Sequence, residues 1–295
     1  MARRWAAVAG GLLLGLAGCG QTPPPVQEAK KIDQAKPADD ELKPPPKPAE
    51  TAPDARKLLD EMLAAHTGGS PDRLSALRQC SFTRRGWADT PVGRLNAVWK
   101  RDLIWPDRYR IRLETSDTAG TKTTQTFALR PGGAWMQPGD DPAPKTELAP
   151  GIVPNVKSQF HEDAVTLLFV LADPKTVAAR GADERLAGVP GEKGEKGERE
   201  LLGLDVWTPN GEHARLGVDK KTKLLARVVY VGQEAESPTA SYAVTKELVI
   251  QDYKEVGGVK LGAKLYAKTR AKLLGEWTEL TVDTTKPDPK LFDGP

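Results

Sequence analysis

Arg108-Tyr109-Arg110-Ile111-Arg112-Leu113 alternates strictly between a charged residue and a large apolar one. Successive side chains leave a pleated backbone on opposite faces, so a period of two predicts a strand with one wet and one dry side. The stretch before it repeats the pattern, with Leu95, Ala97 and Trp99 alternating with Asn96, Val98 and Lys100. Working outward, a strand is expected from Cys80, and others over 121–130, 133–137, 201–208, 213–219, 223–232, 241–253, 259–270 and 275–283. Pro131-Gly132-Gly133, Pro209-Asn210-Gly211 and Gly257-Gly258 punctuate them as turns. The reading yields about 10–11 antiparallel strands at hairpin spacing.

Helices flank and interrupt this run. Asp54 is placed to cap a helix whose Leu58, Leu59, Met62 and Leu63 fall at helical spacing, and Gly68-Gly69 supplies its stop. Ser70-Pro71 opens a second short helix through Leu77. A Pro-rich loop over 138–154 leads to a helix predicted near 157–172, with Phe160, Ala164, Leu167, Leu168 and Leu171 as its apolar stripe. The fold class is α+β: one large antiparallel sheet with helices covering one face.

The beginning of the chain is of a different kind. Arg3 and Arg4 precede an apolar run of about a dozen residues, shorter than the roughly 20 needed to span a bilayer, which is the layout of a secretory signal. It ends in Leu16-Ala17-Gly18-Cys19, a lipobox, so residues 1–18 are expected to be removed and Cys19 to carry diacylglycerol and a palmitate-type acyl chain. Each buried methylene contributes about 0.8 kcal/mol, so several chains on one cysteine make a durable membrane anchor. Gly20, where an Asp would retain the protein at the inner membrane under the enteric sorting rule, favours the periplasmic face of the outer membrane. Residues 19–53 contain Pro23-Pro24-Pro25 and Pro44-Pro45-Pro46 among lysines and carboxylates, with almost no large apolar residue. That composition predicts a disordered tether, reaching on the order of 100 Å if extended, ahead of a single domain over 54–295.

The net charge of +3 falls to about +1 once the signal arginines are gone, and both signs are interspersed, which gives no reason to invoke nucleic acid. Besides Cys19 the chain has only Cys80, so the mature domain has no intramolecular disulfide to form, and Cys80 reads as a buried structural thiol. His66, His161 and His213 lie in separate elements without metal-ligand spacing, and no metal or other cofactor is expected. His66 is expected beside the terminal carbonyls of its helix. His161-Glu162-Asp163 is the most chemistry-like triplet, yet neighbours on a helix point apart, and a solvated polar face accounts for it. No nucleophile elbow or phosphate-binding loop is present, so no catalytic residue is assigned and no enzyme activity is expected. The Gly-X-Y period between Gly188 and Arg199 resembles collagen but is too short for a triple helix, and reads as a charged surface loop.

Leu58 to Phe82, Asp252-Tyr253-Lys254-Glu255-Val256-Gly257-Gly258-Val259-Lys260-Leu261 and the chain end Asp288-Pro289-Lys290-Leu291-Phe292-Asp293-Gly294-Pro295 carry a family resemblance. In these segments, and in its order of elements, the chain resembles the superfamily of LolA/LolB lipoprotein carriers, LppX-like lipid carriers and RseB-like sensors over about residues 54–295. Gly262 stands where the hairpin pattern of that superfamily has Pro, and the protruding apolar loop of the acceptor lipoprotein has no counterpart here. The resemblance implies a half-open barrel whose concave apolar face, under a helical lid, holds acyl chains. Candidate cavity residues are then Leu95, Trp99, Ile111, Leu113, Phe127, Leu129, Val228 and Tyr230 from the dry side of the sheet, with Leu168 from the lid. Alternation alone does not distinguish an open cavity from a filled core. Two functions follow: carriage of a lipid or lipoprotein acyl group, or an RseB-like module that binds or senses another envelope protein.

Overall fold

The computed structural model describes residues 43–90, 93–140, 142–187, 198–269 and 272–295. The signal segment, Leu16-Ala17-Gly18-Cys19, the tether as far as residue 42 and residues 188–197 of the collagen-like run lie outside the described residues.

The chain enters through helix α1 (Pro53–Thr67). Ala52 holds the cap position and Pro53 the first turn, where its missing N–H costs nothing, while the expected cap Asp54 accepts instead from the Ala55 N–H at 2.9 Å. Gly68 ends the helix in the left-handed conformation (φ 61°), with its N–H bonded to the Ala64 carbonyl. The second predicted helix is a 3-10 helix, Pro71–Arg78, which delivers the chain into the sheet.

Six strands follow as a meander: β1 (Gln79–Thr90), β2 (Gly93–Ile104), β3 (Arg108–Ser116), β4 (Lys122–Arg130), β5 (Gly133–Pro138) and β6 (Thr146–Glu147). Helix α2 (Val153–Thr166) then carries the chain across the sheet to its far edge. There it resumes with β7 (Val177–Arg180), β8 (Glu184–Leu186), β9 (Arg199–Trp207), β10 (His213–Asp219), β11 (Leu225–Ser237), β12 (Ala240–Val256), β13 (Val259–Thr269) and β14 (Lys272–Asp283). This second meander works back until β14 pairs with β1, giving one 14-stranded antiparallel sheet in the order β6-β5-β4-β3-β2-β1-β14-β13-β12-β11-β10-β9-β7, with β8 also paired to β9. Among the described residues no pairing joins β6 to β7, so the sheet is open and not a closed barrel. The three strands absent from the sequence reading, β6, β7 and β8, are two to four residues long, too short for alternation to register.

Register puts the alternating residues where their spacing placed them. Trp99 faces Leu113, Leu103 faces Tyr109, and Ile111 faces Phe127 in adjoining strands. All belong to one continuous core that also takes in Leu58, Leu59, Met62 and Leu63 of α1 and Val156, Phe160 and Ala164 of α2. The opposite face of β2 and β3 carries ion pairs, among them Lys100 with Glu114 and Arg110 with Asp102. It is not wet throughout, because Leu186 of β8 covers a second small cluster with Leu201, Ala226, Val249 and Tyr266.

The expected helix over 157–172 is corrected at both ends. It begins earlier, at Val153, and stops at Thr166 because Leu168 takes a left-handed conformation (φ 69°). The run Leu167-Leu168-Phe169-Val170-Leu171 is a turn buried on every side, and such a run has no periodicity from which to read its end.

Candidate functional site

Helix α2 packs on the concave face, and its polar residues define the site. Phe160 stacks on Tyr109 with ring centroids 4.8 Å apart and meets Trp105 edge-on at 5.4 Å. One turn on, Asp163 is 1 % exposed and lies 3.1 Å from Arg101 Nε, while the Tyr109 hydroxyl donates to its carboxylate. Glu162 accepts a hydrogen bond from the Tyr230 hydroxyl, and Asn155 donates to the Gln233 carbonyl at 3.0 Å. His161 Nδ1 lies 2.8 Å from Glu212 Oε2 in the β9–β10 turn, at ion-pair distance though off the line of a hydrogen bond.

The expectation that His161-Glu162-Asp163 forms a solvated face is therefore corrected. Steps of 100° along the helix send the three side chains to three different walls of the concavity, and each finds a partner there. His66 departs from its expectation too: its Nδ1 donates to the Lys260 carbonyl at 2.5 Å and its Nε2 accepts from the Leu225 N–H at 2.8 Å, tying α1 to β13 and β11.

Charge lies where an apolar core was expected. Arg84 and Arg101 both belong to the dry row, and Arg84 Nη1 donates to the Gly262 carbonyl at 2.9 Å. Burial pulls Arg84 down to about 10. Burial also opposes the charged form of Arg101, but Asp163, Tyr109 and Glu162 outweigh it and hold that guanidinium above its ordinary value. Asp163 is pushed up to about 6 because its burial, reinforced by Glu162, outweighs the attraction of Arg101 and Arg84. Tyr109 and Tyr230 rise for the same first reason, burial, and for their carboxylate neighbours.

The nine candidate cavity residues, Leu95, Trp99, Ile111, Leu113, Phe127, Leu129, Leu168, Val228 and Tyr230, are all buried. Seven of the sheet residues belong to the core on the concave face, Leu95 is buried outside that cluster, and Leu168 lies in the turn that ends α2. Between sheet and helix, beside Trp99, lies a pocket of about 60 Å³. Two larger spaces flank α2, and a third, of about 610 Å³, lies away from it over β1 to β4, beside Arg85, Asn96, Arg112 and Thr124. A groove of about 550 Å³ runs along one side, lined by Trp105, Leu129, Ala134, Val153, Phe160 and His161. Another of about 420 Å³ lies against Pro44, Ser158, Trp207 and Gln233. Lys157, His161 and Glu212 border both. Of the nine candidates only Leu129 reaches the first groove, so the residues that line it are mostly new to the structure. The segment expected as tether also meets the domain, through Pro44 and through Thr51, whose hydroxyl accepts from the Ala178 N–H at 3.0 Å.

Among the described residues no three His, Cys, Asp or Glu side chains are grouped to hold a metal ion. No helix among them is long and apolar enough to cross a membrane.

No family model matches the chain, and no curated protein matches it. Two crystal structures align with it over most of its length. One is a domain from Vibrio parahaemolyticus named for outer membrane lipoprotein sorting, 13% identical, covering 80% of this chain and 96% of that one with a TM-score of 0.46. The chain is similar to it in fold. The other is a DUF1329 family protein from Desulfovibrio piger, 12% identical, covering 81% of this chain and 97% of that one with a TM-score of 0.42. Both likenesses are of architecture alone, and neither bears on what the chain binds.

Proposed function

We propose that the protein is a non-enzymatic lipoprotein, anchored through Cys19 at the periplasmic face of the outer membrane, that binds or carries a hydrophobic molecule of the lipid or acyl-chain class. The observation that carries this reading is the groove of about 550 Å³ beside α2, walled by Trp105, Leu129, Ala134, Val153 and Phe160. Asp107, Arg130, Lys157, His161, Asn210 and Glu212 share the lining with these apolar residues, and a groove of that size with apolar walls and several polar groups is of the kind that takes small molecules. The helix above it is fastened by polar pairs as well as by packing, so its departure would open the apolar concave face behind it. A second reading, an envelope protein that binds or senses another protein, is favoured by the small size of the pocket between α2 and the sheet beside Trp99.

Native mass spectrometry with lipid extraction tests the proposal on a Cys19→Ser protein, whose own anchor no longer contributes acyl mass. Retained lipid, lost on blocking the groove, is the expected result. A bare protein mass after exposure to phospholipid vesicles would sink the carrier reading and leave the protein-binding one.

A further inference from the structure

The pocket of about 60 Å³ lies on the opposite side of α2 from the groove, between Gln159 and Glu162 of the helix and the rim of β13 and β14. Its walls include Trp99 and Trp277, whose rings stand 5.3 Å apart, and the charged residues Asp89, Arg101, Glu162, Lys246, Glu247 and Lys268. The carboxylates among them are already engaged. Asp89 accepts from Arg94, Glu162 from Tyr230 and Glu247 from Arg227. The unsatisfied groups are donors: Arg101 Nη1 and Trp277 Nε1, both on side chains more than nine-tenths buried, have no hydrogen-bond partner. Arg101 Nε lies near Asp163 without pointing at it, and Lys268, also in the lining, has no ion-pair partner among the described residues.

A buried donor without an acceptor loses the hydrogen bonds it made in water and recovers nothing. Unpaired donors on side chains that line one small space, whose own carboxylates Asp89, Glu162 and Glu247 already accept hydrogen bonds, suit a group that only accepts. The space is on the order of a few water molecules, which fits one small group and not an acyl chain.

We propose that this pocket binds an oxyanion, a carboxylate or a phosphate, through Arg101, Trp277 and Lys268. The guanidinium supplies charge and donors from the floor, the indole N–H donates from the β14 wall, and Lys268 draws the anion in at the mouth. The site stands independently of the groove, so failure of either leaves the other intact.

Titration of the purified protein with hexanoate, hexyl phosphate, acetate and inorganic phosphate, with hexanol as neutral control, tests this through the Trp277 indole N–H resonance and by calorimetry. Saturable shifts with the anions and none with hexanol are expected. Binding of hexanoate and hexyl phosphate alone would identify the head group of an amphiphile, and equal binding of acetate and phosphate a free small oxyanion. Lys268→Ala and Trp277→Phe, which leave the Arg101–Asp163 pair untouched, are each expected to weaken affinity about tenfold. No saturable shift with any anion, an equal shift with hexanol, or unchanged affinity in both variants would overturn the proposal.

Discussion

Asp163 of α2 and Arg101 of β2 form an ion pair at 3.1 Å with both side chains almost wholly excluded from solvent. A helix lying on a sheet needs no such pair to bury apolar surface, and two buried charges roughly cancel their attraction against the cost of leaving water. What the pair does impose is position: α2 has one register on the sheet in which neither charge is left alone.

Removing one partner is therefore expected to cost far more than removing both. Asp163→Ala should lower unfolding free energy by about 3–5 kcal/mol in urea, because Arg101 is left buried and unpaired. The double variant Arg101→Met with Asp163→Leu should recover most of that loss. Equal losses in the single and double variants would refute the coupling.

His66 sets a pH dependence of opposite sign to that of Asp163. Its imidazole is neutral in the fold, donating to Lys260 and accepting from Leu225, and burial lowers its pKa from 6.5 to about 4. The unfolded chain thus binds the proton more readily, and the stability this residue contributes, full above pH 6.5, is lost as pH falls through about 4. The loss amounts to about 3 kcal/mol at its limit. Asp163, raised to about 6 by burial, gains stability on acidification below that value, so only the difference from a His66→Gln variant isolates the histidine. Urea unfolding at pH 7.5, 5.5 and 4.5 should show the variant less sensitive to acid than the parent. Parallel pH profiles would refute the assignment.

Gly86 stands at the irregular step where β1 meets β14, and a Cβ there would sit 1.8 Å from the Glu276 carbonyl oxygen. The obstacle is backbone, so the strands must part. Gly86→Ala is expected to cost about 3 kcal/mol or more. Gly132→Ala, where the backbone is left-handed (φ 79°) but the space is open, should cost only about 1–2 kcal/mol. Thermal unfolding of the two variants side by side decides whether close approach or backbone conformation is the stronger demand.

Val153 lines the large groove from the first turn of α2 and is only partly buried. Val153→Trp should fill the groove with little effect on folding, and the fraction of protein retaining lipid in native mass spectra should fall at least fivefold. Undiminished lipid retention in a folded variant would place the ligand elsewhere.

The sheet was legible because Leu95, Ala97, Trp99, Tyr109, Ile111 and Leu113 keep strict alternation over whole strands. The site was not, although part of its signal was present. Arg101 falls two residues after Trp99 and two before Leu103, in the dry row, and Arg84 falls two after Phe82. A charge in an apolar row marks a buried partner, and the carboxylates of Glu162 and Asp163 were the candidates. The groove was beyond reach for a different reason: Trp105, Ala134, Phe160 and Glu212 come from four elements, and local periodicity does not report which elements become neighbours.

The pairing of β1 with β14 joins segments that stand at opposite ends of the domain, Ser81 facing Asp283 and Ala88 facing Gly275. Each meander is built from contacts between neighbours in sequence, whereas this pairing must close a loop of nearly the whole chain, the slowest kind of contact to form. Until residues 272–283 are in place, β1 keeps a bare edge, α2 has half its floor, and the two meanders are separate sheets. Completion of the fold thus waits on its last strand, and a chain lacking that strand exposes an unpaired edge of the kind that recruits other molecules into aggregates.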